Sequence, residues 1–523
     1  MLEYITENPV LPCPVSINGN KGRLSLIKET LILNYHYQSC DVNRRILIND
    51  IINVTKDCNF LLNNRLIQSP KILMKQLDNQ EAFKFIIYSV IPRLKRQHQL
   101  DILSTIISFD TEYSCDQWFI LISKLLQKEE TRPRSLTVFI NPIGGLKKGV
   151  QLYKDKISPI FELCGIKSTV TITKHRGEAE AYILKQKSFD VDGFICVGGD
   201  GMLMELVQGL LLKARLDAGL SDDEHELYSK EFPAGLRVGI IPAGSTDTVA
   251  YSTIGTKDPI TAALHVVLGR SIGLDALSVH CDNKFIRYNV SLMGYGFYGN
   301  LVAESESLRW IGPRRYDWLG FKNFMSLEAY FGELKYLPAP SVKYGEPSDG
   351  IYCVGRCSRC LDDSNVIPSI SHAEDWITVR DRFVAINSFL ISCRCTKSPI
   401  GPAPFAHLGN GCTDLIIVRE CSRFNFLQHL LRSASYEDHF DFDFVETVRV
   451  KEFSFRSLQD LQSSSETNIP KIQNYELPWN CDGEPLYCPR VHCKVHKQII
   501  KLFASGIPHQ ASNSSSHIKS TII

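Results

Sequence analysis

The stretch Ile195-Cys-Val-Gly-Gly-Asp-Gly-Met-Leu-Met-Glu205 sets one carboxylate among three glycines and a second about one helical turn further on. The apolar run Phe194 to Val197 reads as a buried strand, Gly198-Gly199-Asp200-Gly201 as a hinge, and the residues from about Gly201 to Arg215 as a helix. Glycines let backbone N–H groups approach an anion closely, and a helix N-terminus adds partial positive charge. One acidic side chain in such a turn points to phosphoryl transfer. The structural alternative is that Asp200 only caps the helix after it.

A second group of reactive residues is Cys353-Val-Gly-Arg-Cys357-Ser-Arg-Cys360. Three thiols at this spacing resemble metal ligands, and Cys393, Cys395 or a histidine could complete a tetrahedral site. The alternative is a reduced loop with incidental thiols. The chain holds 17 cysteines, an odd number, and Met1 to Leu11 lacks the basic and apolar regions of a signal peptide. Reduced thiols in the cytosol are therefore expected rather than a disulfide framework.

The elements that must position these groups can be read from periodicity. Residues 1–130 hold β-rich segments, Lys21 to Tyr35, Ile46 to Val54 and Phe83 to Val90, and end in a helix from Tyr113 to Gln127 carrying Trp118. Several strands closed by a helix with a buried Trp resemble a pleckstrin-homology domain. Arg93, Lys95, Arg96 and His98 come just after a strand and could contact phosphoinositide or other anionic headgroups. A solvated basic loop is the alternative. Lys128 to Arg134 is a polar linker.

Beyond the linker the pattern alternates. Strands are expected at Leu136 to Ile140, Thr169 to Thr173, Phe194 to Val197 and Leu236 to Pro242. Helices are expected at Gly149 to Leu163, Gly177 to Gln186, Gly201 to Arg215 and Pro259 to Leu268. This is the signature of a helix-covered parallel sheet, on which ligands bind outside the carboxyl ends of the strands. Gly144-Gly145, Gly198 to Gly201 and Gly244-Ser245 all fall at such ends. From about Leu274 the chain is strand-rich. An insertion is expected over 338–372 and a disordered tail from 505, whose end, Ser520-Thr-Ile-Ile523, could add to a PDZ groove. The net charge of +1 gives no reason to expect nucleic-acid binding, and no apolar run reaches the length of a membrane-spanning helix.

Asn141-Pro-Ile-Gly-Gly145, Gly198-Gly-Asp-Gly201, Pro242-Ala-Gly-Ser-Thr246 and Asp482-Gly-Glu484 resemble, in order, the motifs of the diacylglycerol-kinase and sphingosine-kinase catalytic superfamily. Tyr251-Ser-Thr-Ile-Gly255, Ser291-Leu-Met-Gly-Tyr-Gly-Phe-Tyr298, Arg309-Trp310 and Trp479-Asn-Cys-Asp-Gly-Glu484 bring the likeness closest to its ceramide-kinase family, over roughly residues 130–505. The resemblance implies a pleckstrin-homology-like β-barrel over 1–128, an α/β catalytic domain over 129–274, and a β-sandwich-like lipid-binding domain over 275–504.

It also implies residue roles. ATP would lie along Asn141, Pro142, Ile143, Gly144 and Gly145, with Thr173, Lys174, His175, Arg176 and Gly177 on its pocket. Glu205, Gly244, Ser245, Thr246 and Arg287 would add nucleotide contacts. Gly198, Gly199 and Gly201 would shape the acceptor loop, with Asp200 as base. Asp275 would hold the lipid headgroup, unless it is only a turn former. Asp482, Gly483 and Glu484 would return to the phosphates, with Asp482 organising Mg²⁺. The implied reaction is phosphorylation of ceramide in a membrane by a cytoplasmic enzyme that associates peripherally with Golgi or plasma membrane. Calcium stimulation through calmodulin would engage the amphipathic stretch Arg419 to Arg432, for which a packed helix is the alternative. A sphingosine or diacylglycerol kinase, or a non-catalytic lipid-binding relative, are the competing readings.

Overall fold

The computed structural model describes residues 10–57, 67–68, 83–145, 147–221, 235–308, 314–339, 352–362, 375–435, 438–458 and 477–507. Arg309-Trp310, most of the 338–372 insertion and the tail beyond 507 lie outside the described residues. Eight strands come first: β1 (Val10–Ile17), β2 (Asn20–Ile27), β3 (Thr30–Tyr37), β4 (Cys40–Leu47), β5 (Ile51–Thr55), β6 (Ile67–Gln68), β7 (Phe83–Pro92) and β8 (Leu100–Phe109). They form a sheet in the order β4-β3-β2-β1-β8-β7-β5, with β6 on β8. Helix α1 (Glu112–Gln127) closes it. Thr111 caps α1 by accepting the Ser114 N–H at 3.2 Å. Trp118 and Ile122 point from α1 into a core with Leu24, Leu33, Phe85 and Ile107.

The chain then alternates through β9 (Ser135–Ile140), α2 (Gly149–Leu152), α3 (Ser158–Leu163), β10 (Lys167–Ile172), α4 (Glu178–Lys185), β11 (Gly193–Gly198), α5 (Asp200–Asp217), β12 (Arg237–Pro242), α6 (Thr248–Ile254) and α7 (Pro259–Val267). The single helix expected over Gly149 to Leu163 is instead α2 and α3 joined by a π-turn, Tyr153–Ile157. Pro159, in the first turn of α3, has no N–H and its ring would strike a carbonyl four residues earlier, so the ladder widens there.

The parallel strands lie in the order β10-β9-β11-β12. From β9 the chain moves to β10 on one side, then to β11 on the other. The crevice between β9 and β11 is therefore the topological switch point where such sheets bind ligands. Ile172 pairs with Ile140, Ile140 with Val197, and Gly198 with Pro242. The carboxyl ends are thus level, and their loops stand side by side.

The remaining strands are β13 (Ser271–Cys281), β14 (Lys284–Asn289), β15 (Leu292–Gly296), β16 (Tyr330–Pro338), β17 (Ile377–Phe389), β18 (Thr413–Arg419), β19 (Val445–Ser457), β20 (Pro478–Cys481), β21 (Glu484–Tyr487) and β22 (Arg490–Phe503). Helices α8 (Phe297–Ser307), α9 (Arg314–Met325), α10 (Ser358–Leu361) and α11 (Arg423–Ser433) interrupt them. This part is hydrogen-bonded to the parallel sheet. β22 runs antiparallel to β13 and also meets β12 in parallel at Val238↔Leu502, so one 14-stranded hydrogen-bonded sheet spans both parts. β13 itself crosses the boundary expected at 274/275. A disulfide joins Cys281, at the end of β13, to Cys488, just before β22, so the thiols are not all reduced.

The amphipathic stretch near Arg419 becomes the end of β18 and then α11, which buries Phe426 and His429 and leaves Phe424 and Leu431 exposed. In the basic loop after β7, Lys95 and Arg96 are exposed and Arg93 and His98 half-buried. Arg93, Lys95, Arg96 and His98 line a cavity of about 550 Å³ with Ile254, His265 and Arg270. Across the same junction the Leu100 N–H donates to the Thr261 hydroxyl at 2.9 Å and Arg270 pairs with Asp50 at 2.6 Å. Among the described residues no helix is long and apolar enough to cross a membrane.

Candidate active site

Four loops at the carboxyl ends of β9 to β12 build the site. After β9, the Asn141 side-chain oxygen accepts the Ile143 N–H at 3.0 Å and the Gly144 N–H at 2.9 Å, which folds Asn141–Gly145 into a tight turn. The backbone of Asn141 extends the ladder by donating to the Val197 carbonyl at 3.0 Å. Gly145 has φ +54°, and a Cβ there would lie 2.2 Å from the Ala243 carbonyl oxygen. A Cβ on Gly244 would lie 2.6 Å from the Gly199 Cα. The three glycine turns read from the sequence therefore pack backbone against backbone, an approach any side chain would block. Ile143, Ser245 and Thr246 stand exposed on the rim, as do Lys174, His175 and Arg176, while Thr173 is buried with its hydroxyl donating to the Ile140 carbonyl at 3.2 Å.

Asp200 opens α5 but does not cap it; Gly199 holds the cap position. Its carboxylate reaches another helix, 48 residues on. Oδ2 accepts the Thr248 N–H and Oδ1 the Val249 N–H, both at 2.9 Å, so Asp200 caps α6. The Thr248 side chain and the Asp200 backbone N–H also bear on this carboxylate. Burial raises the Asp200 pKa, and the Val249 and Thr248 N–H groups oppose that shift. Asp247 stands beside it at φ +55°, accepting the Gly244 N–H at 2.9 Å. Burial, then the Asp200 charge, pushes Asp247 up to about 6. Two facing carboxylates repel each other, and a divalent cation taking oxygen ligands would relieve that repulsion. The sequence pattern contains Asp247 but carries no sign that its side chain turns inward; the left-handed backbone that does so is set by tertiary contacts.

The other acidic residues form an ionic cluster at the edge of this cleft. Glu484 pairs with Arg176 and, at 2.7 Å, with Arg287. The loop after β10 and strands β14 and β21 thereby meet. Glu205, on α5, has its pKa raised by burial, with the Gly177 and Ala179 N–H groups and then Arg176 pulling it back.

Two of the expected site residues are held by partners within the fold. Asp482, expected to organise Mg²⁺, is engaged elsewhere. Its Oδ1 accepts the Ser291 N–H at 2.9 Å, the Leu292 N–H at 3.2 Å and the Ser291 hydroxyl, and its Oδ2 accepts the Val290 N–H at 3.0 Å. Those donors occupy the carboxylate, which clamps the β14–β15 turn; Gly483 comes next at φ +85°, exposed. Asp275, expected to touch the lipid headgroup, has 0% exposure, and its oxygens accept the Gln498 and Gly411 N–H groups, both at 2.7 Å. In this arrangement Asp275 presents no accessible atom to a substrate. The three thiols of Cys353, Cys357 and Cys360 lie against the segment that carries His407.

A family model for the diacylglycerol kinase catalytic domain matches residues 135–279, and one for the ceramide kinase C-terminal domain matches residues 290–520. The chain is 39% identical over 426 residues to ceramide kinase from Mus musculus, covering 76% of this chain and 80% of that one. It is 38% identical over 454 residues to ceramide kinase from Homo sapiens, covering 82% and 84%. It is 31% identical over 430 residues to the ceramide kinase-like protein of Homo sapiens, covering 76% and 73%. A solved diacylglycerol kinase from Bacillus anthracis str. Sterne aligns with a TM-score of 0.44 at 13% identity, over 71% of this chain and 97% of that chain.

Proposed function

The chain belongs to the ceramide kinase family, and from that premise we propose that it is an ATP-dependent lipid kinase that phosphorylates the primary hydroxyl of ceramide. The observation that carries this reading for the site is the half-buried Asp200 carboxylate at the mouth of the β9/β11 crevice, walled by three glycine turns in backbone contact. The ATP phosphates would lie along Asn141–Gly145 and the N-terminal end of α5, where N–H groups and the helix dipole meet negative charge. The ceramide hydroxyl oxygen forms the new bond to the γ-phosphorus as the bond to the bridging oxygen of ADP breaks. Asp200 accepts the hydroxyl proton late in that transfer, for which a positioned carboxylate suffices.

The oxygen donors Asp200 and Asp247 fit Mg²⁺, which when bound would neutralise charge on the transferring phosphoryl group. Arg176 and Arg287, released from Glu484, would add cationic contacts to the nucleotide phosphates. For the N-terminal sheet, the strand order and the closing α1 with Trp118 support a pleckstrin-homology-like domain that brings the enzyme to anionic membranes. Lys95 and Arg96 would face the headgroups.

The test is a lipid kinase assay with labelled ATP, Mg²⁺ and ceramide, sphingosine and diacylglycerol presented separately in mixed micelles. Ceramide should be the preferred acceptor. Preference for another lipid would move the substrate within the superfamily. No phosphorylation of any of the three would return the non-catalytic reading.

A further inference from the structure

Cys353, Cys357, Cys360 and His407 bring four ligand atoms within 4.8 Å of one another. The Cys357 and Cys360 sulfurs lie 3.5 Å apart, those of Cys353 and Cys360 3.6 Å apart, and His407 Nδ1 is 3.1 Å from the Cys357 sulfur. A disulfide would need sulfurs at about 2.05 Å. A tetrahedral ion with metal–sulfur bonds of about 2.3 Å sets its sulfurs roughly 3.8 Å apart. The observed spacing is therefore that of thiolates gathered around a common centre.

The surroundings fit the same reading. Cys357, Cys360 and His407 are buried, and Cys353 is half-buried. The Gly355 and Leu408 N–H groups both point at the Cys353 sulfur, at 3.4 Å. Donors aimed at a sulfur stabilise the anionic form that a metal requires. One ligand group comes from the segment around α10 and the other from a loop some 50 residues later in the chain.

We propose that these four residues hold a structural zinc ion. Three thiolates and one imidazole are a common zinc set, and four protein ligands leave no open position for chemistry. The ion would staple two irregular segments. The loop it holds through His407 also carries the Leu408 carbonyl that accepts the Asp275 N–H at 2.8 Å, and the Gly411 N–H that satisfies the Asp275 carboxylate. The Gln498 side-chain amide bridges the two segments, donating to the Cys360 and Gly409 carbonyls, both at 2.7 Å. The site thus fixes the setting of a buried carboxylate in β13.

Elemental analysis of the full chain, purified reduced and without chelator, should give about one zinc per chain. A mercurial thiol reagent should release it to a colorimetric zinc indicator. The Cys357→Ser/Cys360→Ser double variant should lose the zinc. Because that variant can also misfold, His407→Cys is the companion: a thiolate replaces the imidazole, so zinc stays stoichiometric. After Co²⁺ exchange the wild-type chain should give tetrahedral d–d bands, and His407→Cys should add thiolate-to-metal absorbance of about one third, for four thiolates against three. A folded wild-type chain that neither carries zinc nor takes up Co²⁺ would overturn the proposal. So would full zinc in the double variant, or a native disulfide between any two of the three cysteines.

Discussion

Asp200 and Thr248 are joined across 48 residues by a 2.9 Å hydrogen bond from backbone N–H to carboxylate. The proposed base is therefore also the cap of α6, and its orientation does not depend on substrate. Capping and the proposed catalysis, alternatives in the sequence, fall to one carboxylate. Asp200→Asn keeps an oxygen for one of the two N–H donors and loses the base. Turnover should fall about 10²- to 10⁴-fold, while unfolding stability should drop by only about 1 kcal/mol. Steady-state kinetics and a denaturant titration on the same preparation check both. Full activity in Asp200→Asn would remove it as the base.

The bridge from Arg176 through Glu484 to Arg287 holds two cations at the cleft. A charge-assisted contact to phosphate contributes about 1.5–3 kcal/mol. Arg287→Ala should therefore raise KM for ATP roughly 10- to 100-fold, with KM for ceramide little changed. An unchanged KM for ATP would leave Arg287 with a purely structural role.

Asp482 offers a separation of fold from metal. Asp482→Asn withdraws acceptors from the β14–β15 turn and should cost about 1–3 kcal/mol of stability. The Mg²⁺ concentration that gives half-maximal activity should move less than about twofold, since each tenfold change reports about 1.4 kcal/mol of lost interaction. A large shift in that concentration would restore Asp482 as a metal ligand.

Asp275 predicts a pH dependence. Burial raises its pKa to about 7 against the opposing Gln498 and Gly411 N–H groups. Between about pH 4, the ordinary aspartate value, and about 7, the folded chain retains a proton that the unfolded chain has released. Stability contributed here is therefore present at low pH and lost as pH rises through that window. The loss of stability from pH 5 to pH 7 should be smaller in Asp275→Asn than in the wild-type chain, measured by urea midpoints. Equal losses would contradict the assignment.

The parallel sheet and its three glycine turns are legible in the sequence because their signals are local. An apolar run of four to six residues ends in glycine, and strand ends in such sheets are level. The features that local pattern hides depend on partners far along the chain. The Asp200 cap needs Thr248 and Val249, the Asp275 burial needs Gly411 and Gln498, and the fourth thiol-cluster partner is His407. The turn that Asp482 holds is hidden for the same reason: its donors are Val290 to Leu292, some 190 residues earlier. The break between α2 and α3 is different. Pro159 is plain in the sequence, but the apolar spacing around it runs on unbroken and masks its effect on the ladder.

The single pairing of β12 with β22 at Val238↔Leu502 has a mechanical consequence. Along β13, by contrast, β22 is pinned from Ser271↔Phe503 to Cys281↔Val491. β13 and β22 both belong to the antiparallel part, so the two parts of the sheet meet, among the described residues, at that one backbone pairing, backed by a common apolar core. The Arg176–Glu484 pair, from the loop after β10 to β21, is a second tie between the two parts, at the edge of the cleft.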